Sequence, residues 1–286
     1  MAEREHGITG RRLMAVLMKV LQRLQDPYYQ GRAAELAFYF IMSMVPLALL
    51  LGEALNLFSV SMNVVRDLIS RYVEGDLAQE LLQYLSYRPT GTFSAVFLVF
   101  ALWGASKMQF SMLCISNYAY TGDTLVKGYI WERLRAIKNI ILTVFMLAFS
   151  LVIMVYGEEI LRLAELYMDR FLHLTLHVSS FWYALRWPGA VAIYFLVVSY
   201  NYYSLPARKK RYREFLPGSA VASLGMLAAT WIYSYYAKVF ANFNLLYGSL
   251  ASIVALLLWF YILGLILIVG ILTNVAWADT AIMRGE

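Results

Sequence analysis

The stretch Gly248–Ala276 reads GSLASIVALLLWFYILGLILIVGILTNVA and contains no Asp, Glu, Lys, Arg or His. At about 1.5 Å per residue, a helix of this length exceeds the roughly 30 Å hydrocarbon core of a bilayer, so the segment belongs in lipid. Five more stretches meet the same requirement: Ala33–Phe58, Phe93–Asn117, Ile137–Gly157, Phe181–Tyr203 and Phe215–Phe240. Lipid offers no partner to a backbone N–H or C=O, so such runs are expected to be helical. The whole chain agrees, being 61% hydrophobic and 15% charged, where a soluble domain carries about 25% charged residues. The expected fold is all-α. It is a polytopic membrane protein of six transmembrane helices, with an N-terminal interfacial amphipathic helix and short outer amphipathic helices.

The basic residues order these spans. Arg4, Arg11, Arg12, Lys19, Arg23 and Arg32 precede the first span. Lys127, Arg133, Arg135 and Lys138 separate spans two and three, and Arg208, Lys209, Lys210, Arg211 and Arg213 separate spans four and five. The alternate segments are poorer. In 59–92 the basic residues are offset by acids, in 158–180 acids outnumber them, and 241–247 is uncharged. Lys and Arg stay on the cytoplasmic side, so both termini are expected there. The net charge of +6 is then a topology signal and a source of affinity for anionic headgroups, Arg208, Lys209, Lys210, Arg211 and Arg213 being the candidate contacts. Nothing in it calls for nucleic acid. The expected organisation is a cytoplasmic or interfacial N-terminal helix over 1–32, the six-helix domain over 33–276 and a cytoplasmic tail over 277–286.

Around the spans, Ile8, Leu13, Leu17, Val20, Leu21 and Leu24 approximate one face of a helix whose other faces are basic, a pattern for lying in the membrane interface. Asp26-Pro27 should end that helix. Segments 59–92 and 158–180 show helical spacing of apolar residues, and either cap a cavity or rest in headgroups. No signal peptide is expected, because the first apolar run is too long for one. Tyr28, Tyr29, Tyr118, Tyr120, Trp131, Trp182, Tyr183, Trp187, Tyr200, Tyr202, Tyr203 and Trp277 sit where aromatic belts form. Gly248–Ser252, Ala251–Ala255 and Ser219–Ser223 are small-residue steps suited to close helix packing. The single cysteine, Cys114, cannot form an internal disulfide and is expected to be a buried filler.

Ionisable groups within a span cost about 2.5–3.5 kcal/mol each, so each needs a reason. Glu35 and Glu53 lie on one face of span one, five turns and about 27 Å apart, with Pro46 between them as a bend. Lys107 lies near the middle of span two and is expected to face a polar interior with Ser106, Gln109 or a carboxylate of span one. Glu35, Pro46, Glu53, Lys107, Gln109, Asn117 and Asn274 form the candidate transport path, and Lys107→Ala should then abolish flux. Asp169, His173 and His177 have a spacing that could hold a divalent metal, though two surface histidines usually just meet water. No nucleophile elbow, P-loop or zinc-protease pair is present, so no enzyme and no cofactor is expected.

Several stretches resemble the YihY/BrkB family of bacterial inner-membrane proteins, once labelled ribonuclease BN. They run in order: Arg32-Ala33-Ala34-Glu35-Leu36-Ala37-Phe38-Tyr39 with Pro46-Leu47; Asn117-Tyr118-Ala119-Tyr120; Arg133-Leu134-Arg135-Ala136; Leu185-Arg186-Trp187-Pro188; Leu205-Pro206; Leu216-Pro217-Gly218-Ser219-Ala220; Tyr247-Gly248-Ser249-Leu250; and Leu258-Trp259-Phe260-Tyr261. The resemblance covers about residues 25 to 276. It implies six helices, an inner-membrane location and cytoplasmic termini. It also implies a transporter or lipid flippase for an anionic or amphipathic substrate, since some relatives are linked to movement of lipid A precursors. A non-transporting scaffold and the older nuclease label are the alternatives. One departure stands out: where the family commonly has a Gly-Ala-Glu-Leu-Asn-like end to the last span, this chain has Gly270-Ile271-Leu272-Thr273-Asn274 and lacks the glutamate. Membrane lipids, anionic ones included, are the expected partners.

Overall fold

The computed structural model describes residues 2–57, 93–172, 182–207, 211–240 and 249–282, with Asn63, Arg66, Gln79, Leu82 and Gln83 as single positions between the first two ranges. Among these residues every regular element is a helix. In order they are α1 (Ala2–Leu24), α2 (Pro27–Leu57), α3 (Phe93–Thr121), α4 (Tyr129–Leu172), α5 (Trp182–Ser204), a 3-10 turn (Tyr212–Phe215), α6 (Leu216–Phe240) and α7 (Ser249–Ile282). Helices α4, α6 and α7 each contain a stretch long and apolar enough to cross a membrane, and α2 makes a fourth if its two pieces around Pro46 count as one bent span. Helices α3 and α5 have 29 and 23 residues, enough by length at about 1.5 Å each.

Local chemistry sets the ends. Asp26 caps α2, its Oδ1 accepting the Tyr28 N–H at 2.9 Å, with Pro27 at the first helical position where a missing N–H costs nothing. The break between α1 and α2 is therefore where Asp26-Pro27 implied, and α2 starts at Pro27, before the expected boundary at residue 33. Helix α3 ends at Gly122, whose φ of 81° is a left-handed C-cap and whose N–H donates to the Tyr118 carbonyl at 2.9 Å. Gly128, at φ 85°, turns the chain into α4.

Two expectations about segments change. Residues 158–172 continue α4 without a break, giving one helix of 44 residues and about 66 Å. Gly157 costs about 1 kcal/mol in a helix but does not stop one, and no proline follows it. The expected tail is also partly helical, since α7 runs through Trp277 to Ile282. The helices expected within 59–92 lie outside the described residues, apart from the single positions named above.

The chain divides into two compact units. The first comprises 1–43, 106–139 and 198–286. Its interior is built on Leu36, Leu113, Ile115, Tyr202, Leu205, Phe215, Ile268 and Leu272. Here α6 crosses α7 through glycine. A Cβ on Gly218 would lie 2.0 Å from the Gly270 carbonyl oxygen, and one on Gly270 would lie 2.4 Å from the Tyr202 hydroxyl. This is close small-residue packing, but Gly218, Ala222 and Gly270 carry it rather than Ser219 and Ser223 alone. Those two serines are buried and bond back to the Phe215 and Ser219 carbonyls of their own helix, each at 2.7 Å.

The same unit holds α1. Val16 and Val20 are buried, while Leu13, Met14, Leu17, Met18 and Leu21 form an exposed apolar stripe, the face an interfacial helix lays into lipid. Arg12 and Arg23 turn inward. Arg12 stacks on Trp277 at 4.0 Å and Arg23 pairs with Asp279 at 2.9 Å. The polar face of α1 is thus a docking face for α7.

The second unit comprises 44–105 and 140–197. Ala54, Leu55, Ala105, Ile140, Val144 and Ala148 form its core. Helix α2 bends at Pro46, as a proline in a helix interior requires. Gly104 packs beside the ring, and a Cβ there would sit 3.4 Å from Pro46 Cγ, an ordinary contact, so a glycine is not required at this place.

Candidate functional site

A network of polar side chains lies in the first unit where α3 and α5 end and α4 begins. Glu132 stands in the first turn of α4 and is wholly buried. Both of its oxygens are occupied. Arg135 Nη1 donates to Oε2 at 2.5 Å, and Oε1 accepts from Asn117 Nδ2 at 3.1 Å and from the Lys127 N–H at 3.3 Å. The carboxylate also lies at the positive end of the α4 dipole. Asn117 extends the network: its Nδ2 reaches the Thr124 carbonyl at 3.2 Å, and its Oδ1 accepts the Ala207 N–H at 3.0 Å. Glu132 thus fixes the 122–128 turn, and Asn117 fixes the chain leaving α5.

Arg135 completes the arrangement. Its Nη2 donates to the carbonyls of Ser204, Leu205 and Pro206 at 3.1, 3.1 and 2.8 Å. These lie at the C-terminus of α5, where carbonyls lack intrahelical partners and carry partial negative charge. Asn139 Nδ2 adds a bond to the Ser204 carbonyl at 3.4 Å. Beside this network is a pocket of about 220 Å³ lined by Lys127, Arg135, Lys138, Asn139, Tyr200, Tyr203, Ser204, Pro206 and Ala207. Among the described residues three cations line it and no acid does.

The same stretch of α5 leads into the apolar interior. Asn201 accepts from Gln109 Nε2 at 3.1 Å, and Ser199 is fully buried. The Ser199 and Ser111 hydroxyls are buried and form no hydrogen bond among the described residues. A second cluster joins α1, α2, α3 and α7. Arg23 pairs with Asp279 and donates to the Ala119 carbonyl at 3.4 Å, and the Tyr118 hydroxyl donates to Asp26 at 3.4 Å. Tyr120 lies near this cluster. Burial pushes its phenol well above the usual range, and the Glu214 and Asp279 carboxylates push the same way.

The candidate path residues are divided between the two units. Gln109, Asn117 and Asn274 are buried in the first unit. Glu35 is there too, and pairs with Arg32 one turn away. Pro46 and Glu53 belong to the second unit. In that unit Glu53 is the one acid among the described residues lining an otherwise apolar groove of about 280 Å³, with Leu50, Leu57, Val99, Leu102, Val144 and Phe145 among its walls. Lys107 is exposed and makes no ion pair or hydrogen bond among the described residues. Ser106 and Gln109 are buried on the face it does not share, because one residue turns a helix by about 100°. The polar interior expected around Lys107 therefore forms without it.

Asn274 accepts the Gly218 N–H at 2.7 Å, so α7 caps one of the donors left open at the start of α6. Arg208, Lys209 and Lys210 lie outside the described residues, while Arg211 and Arg213 are exposed. Of the metal pattern, His173 and His177 also lie outside them. Cys114 is a buried free thiol, as expected. Of the aromatics expected in belts, Tyr29 and Tyr202 are buried, and Tyr202 donates to the Leu267 carbonyl at 2.8 Å. Half-buried Tyr28 lies against Tyr118 at 4.0 Å. Trp131 and Trp187 are exposed, as a belt requires. The residue that sequence reasoning missed is Glu132. Its signal is the i, i+3 spacing to Arg135 just after a glycine-bounded turn, a spacing that places both on one helix face.

A family profile described as "Virulence factor BrkB" matches residues 20–284. The chain belongs to the BrkB family. A ribonuclease-like protein of Bacillus subtilis (strain 168), YfkH, is 29% identical over 264 residues, covering 90% of this chain and 93% of that protein. UPF0761 membrane proteins of Vibrio atlanticus (strain LGP32) and Vibrio campbellii (strain ATCC BAA-1116) are each 25% identical, covering 91% and 90% of this chain and 83% and 80% of theirs. No solved structure matches. The BrkB-family match takes in Glu132, Arg135, Asn117 and the whole pocket lining.

Proposed function

We propose that this BrkB-family protein is a six-span inner-membrane transporter or lipid flippase for an anionic or amphipathic substrate, with both termini in the cytoplasm. The observation that carries the reading is the acid-free cationic pocket of Lys127, Arg135 and Lys138, set at the end of the α5 stretch that bears buried Ser199 and the Gln109-bonded Asn201. Polar side chains inside a membrane helix mark substrate paths or packing sites, and a cationic entrance selects anions from the leaflet. The test is movement of labelled phosphatidylglycerol and phosphatidylethanolamine across proteoliposomes that hold the purified protein. Flux above protein-free vesicles is expected; equal rates across several lipids would remove the reading.

A scaffold without transport is the second reading, favoured by the close α6–α7 crossing at Gly218 and Gly270. It calls for stable co-purifying proteins and no flux. The name YfkH carries is that of a ribonuclease-like protein, and we propose no such activity for this chain. Metal-dependent RNA cleavage by the detergent-pure protein, lost when its acids are mutated, would replace both readings.

A further inference from the structure

We propose that the pocket bounded by Lys127, Arg135, Lys138, Asn139, Tyr200 and Tyr203 binds a phosphate group, and that its ligand is the headgroup of an anionic phospholipid. The inference deepens the transport reading by naming the substrate class and rests on it only for the step after binding. Charge comes first. Lys127 and Lys138 are exposed, and neither ammonium has an ion-pair partner among the described residues. The buried acid beside the pocket is withdrawn, because Glu132 has both oxygens taken by Arg135, Asn117 and the Lys127 N–H. Lys127 and Lys138 therefore line the pocket with no acid beside them among its described lining residues.

The wall that would repel an anion is neutralised as well. The carbonyls of Ser204, Leu205 and Pro206 end α5 and would present negative potential, but Arg135 donates to all three. Arg135 is thus a positioning residue, held between Glu132 and the helix end. Tyr200 and Tyr203 sit three apart on one face of α5, and both line the pocket. Size then limits the ligand. The pocket, at about 220 Å³, is smaller than the roughly 300–1,000 Å³ that encloses a drug-sized molecule. It accommodates a phosphate headgroup and leaves the acyl chains outside, against exposed apolar side chains of the helices.

The experiment measures binding in detergent, where no flux is involved. Native mass spectrometry would follow retention of dioctanoyl phosphatidic acid, with dioctanoyl glycerol as the phosphate-free probe and inorganic phosphate as competitor. Wild type should retain the phosphatidic acid and not the glycerol, and the K127Q/K138Q double variant should weaken retention by about tenfold or more. Competition by inorganic phosphate at concentrations equal to the lipid would identify a free phosphate ligand, keeping the phosphate site and overturning the lipid assignment. Competition only at far higher concentrations would support the headgroup. Unchanged retention in K127Q/K138Q, with its thermal midpoint also unchanged, overturns the site. If that variant fails to fold, Y200F/Y203F supplies the same comparison, with loss of retention supporting the site and full retention overturning it. Binding without flux in proteoliposomes would leave the site standing and sink the transport reading; flux that ignores both variants would do the reverse.

Discussion

Glu132 and Arg135 form an ion pair in which the carboxylate is wholly buried and the guanidinium side chain is 22% exposed. The pair does more than offset charge, because the same guanidinium holds the end of α5 through three carbonyls. Removing Glu132 takes the acceptor from the Asn117 amide and the Lys127 N–H and leaves Arg135 held only by those carbonyls. Glu132→Ala should therefore lower stability by about 1–3 kcal/mol. Arg135→Lys should restore little, since an ammonium cannot span a carboxylate and three carbonyls as a planar fork does. Thermal unfolding of the detergent-purified protein measures both, and a Glu132→Ala midpoint equal to wild type would show that the pair is not structural.

The α6–α7 crossing makes a graded prediction. Gly218→Ala places a Cβ 2.0 Å from the Gly270 carbonyl oxygen and 2.5 Å from the Asn274 side chain, whereas a Cβ on Gly31 meets nothing within 4 Å. Gly218→Ala should cost about 3 kcal/mol or more through overpacking. Gly31→Ala, inside α2, should stabilise by about 0.5–1 kcal/mol through helix propensity. Monodispersity after heating, read by size-exclusion chromatography, ranks the two; the reverse order would refute the crossing.

Asn274 carries a separate expectation. Its side chain accepts the Gly218 N–H at 2.7 Å in a fully buried place. Asn274→Ala orphans that donor and should cost about 1–3 kcal/mol. A drop in thermal midpoint with lipid retention intact would assign Asn274 to helix capping. Loss of lipid movement at unchanged stability would assign it to the path instead.

Topology can be read through cysteine. Cys114 is buried, so the unaltered chain should resist a membrane-impermeant maleimide. Exposed Lys127 and Asn63 fall in segments assigned to opposite faces of the membrane. Lys127→Cys should react in inside-out vesicles and Asn63→Cys in intact cells. Reaction of Lys127→Cys in intact cells would invert the charge-based orientation.

Much of the architecture was legible one residue at a time. Length and hydropathy mark Gly248–Ala276 as a membrane helix without reference to any neighbour. Asp26-Pro27 marks the start of α2 because capping is local chemistry. The amphipathic character of α1 and the burial of Cys114 were equally readable. The continuity of α4 past Gly157 was less so, since a change from apolar to charged composition looks like a helix end although no local signal stops the helix.

What partners what was not legible. Gln109 lies in the same run as Lys107 yet bonds Asn201 on α5, while Lys107 is exposed. Glu132 is an unremarked acid in a basic segment until Asn117, Lys127 and Arg135 close around it. Periodicity specifies which face of a helix is apolar. It does not specify which neighbour that face meets or how the helix is rotated against it, and hydrogen bonds are decided at that scale. The membrane helices thus follow from the amino-acid order alone, whereas the cationic pocket and the buried ion pair exist only because three helix ends, distant in sequence, pack together.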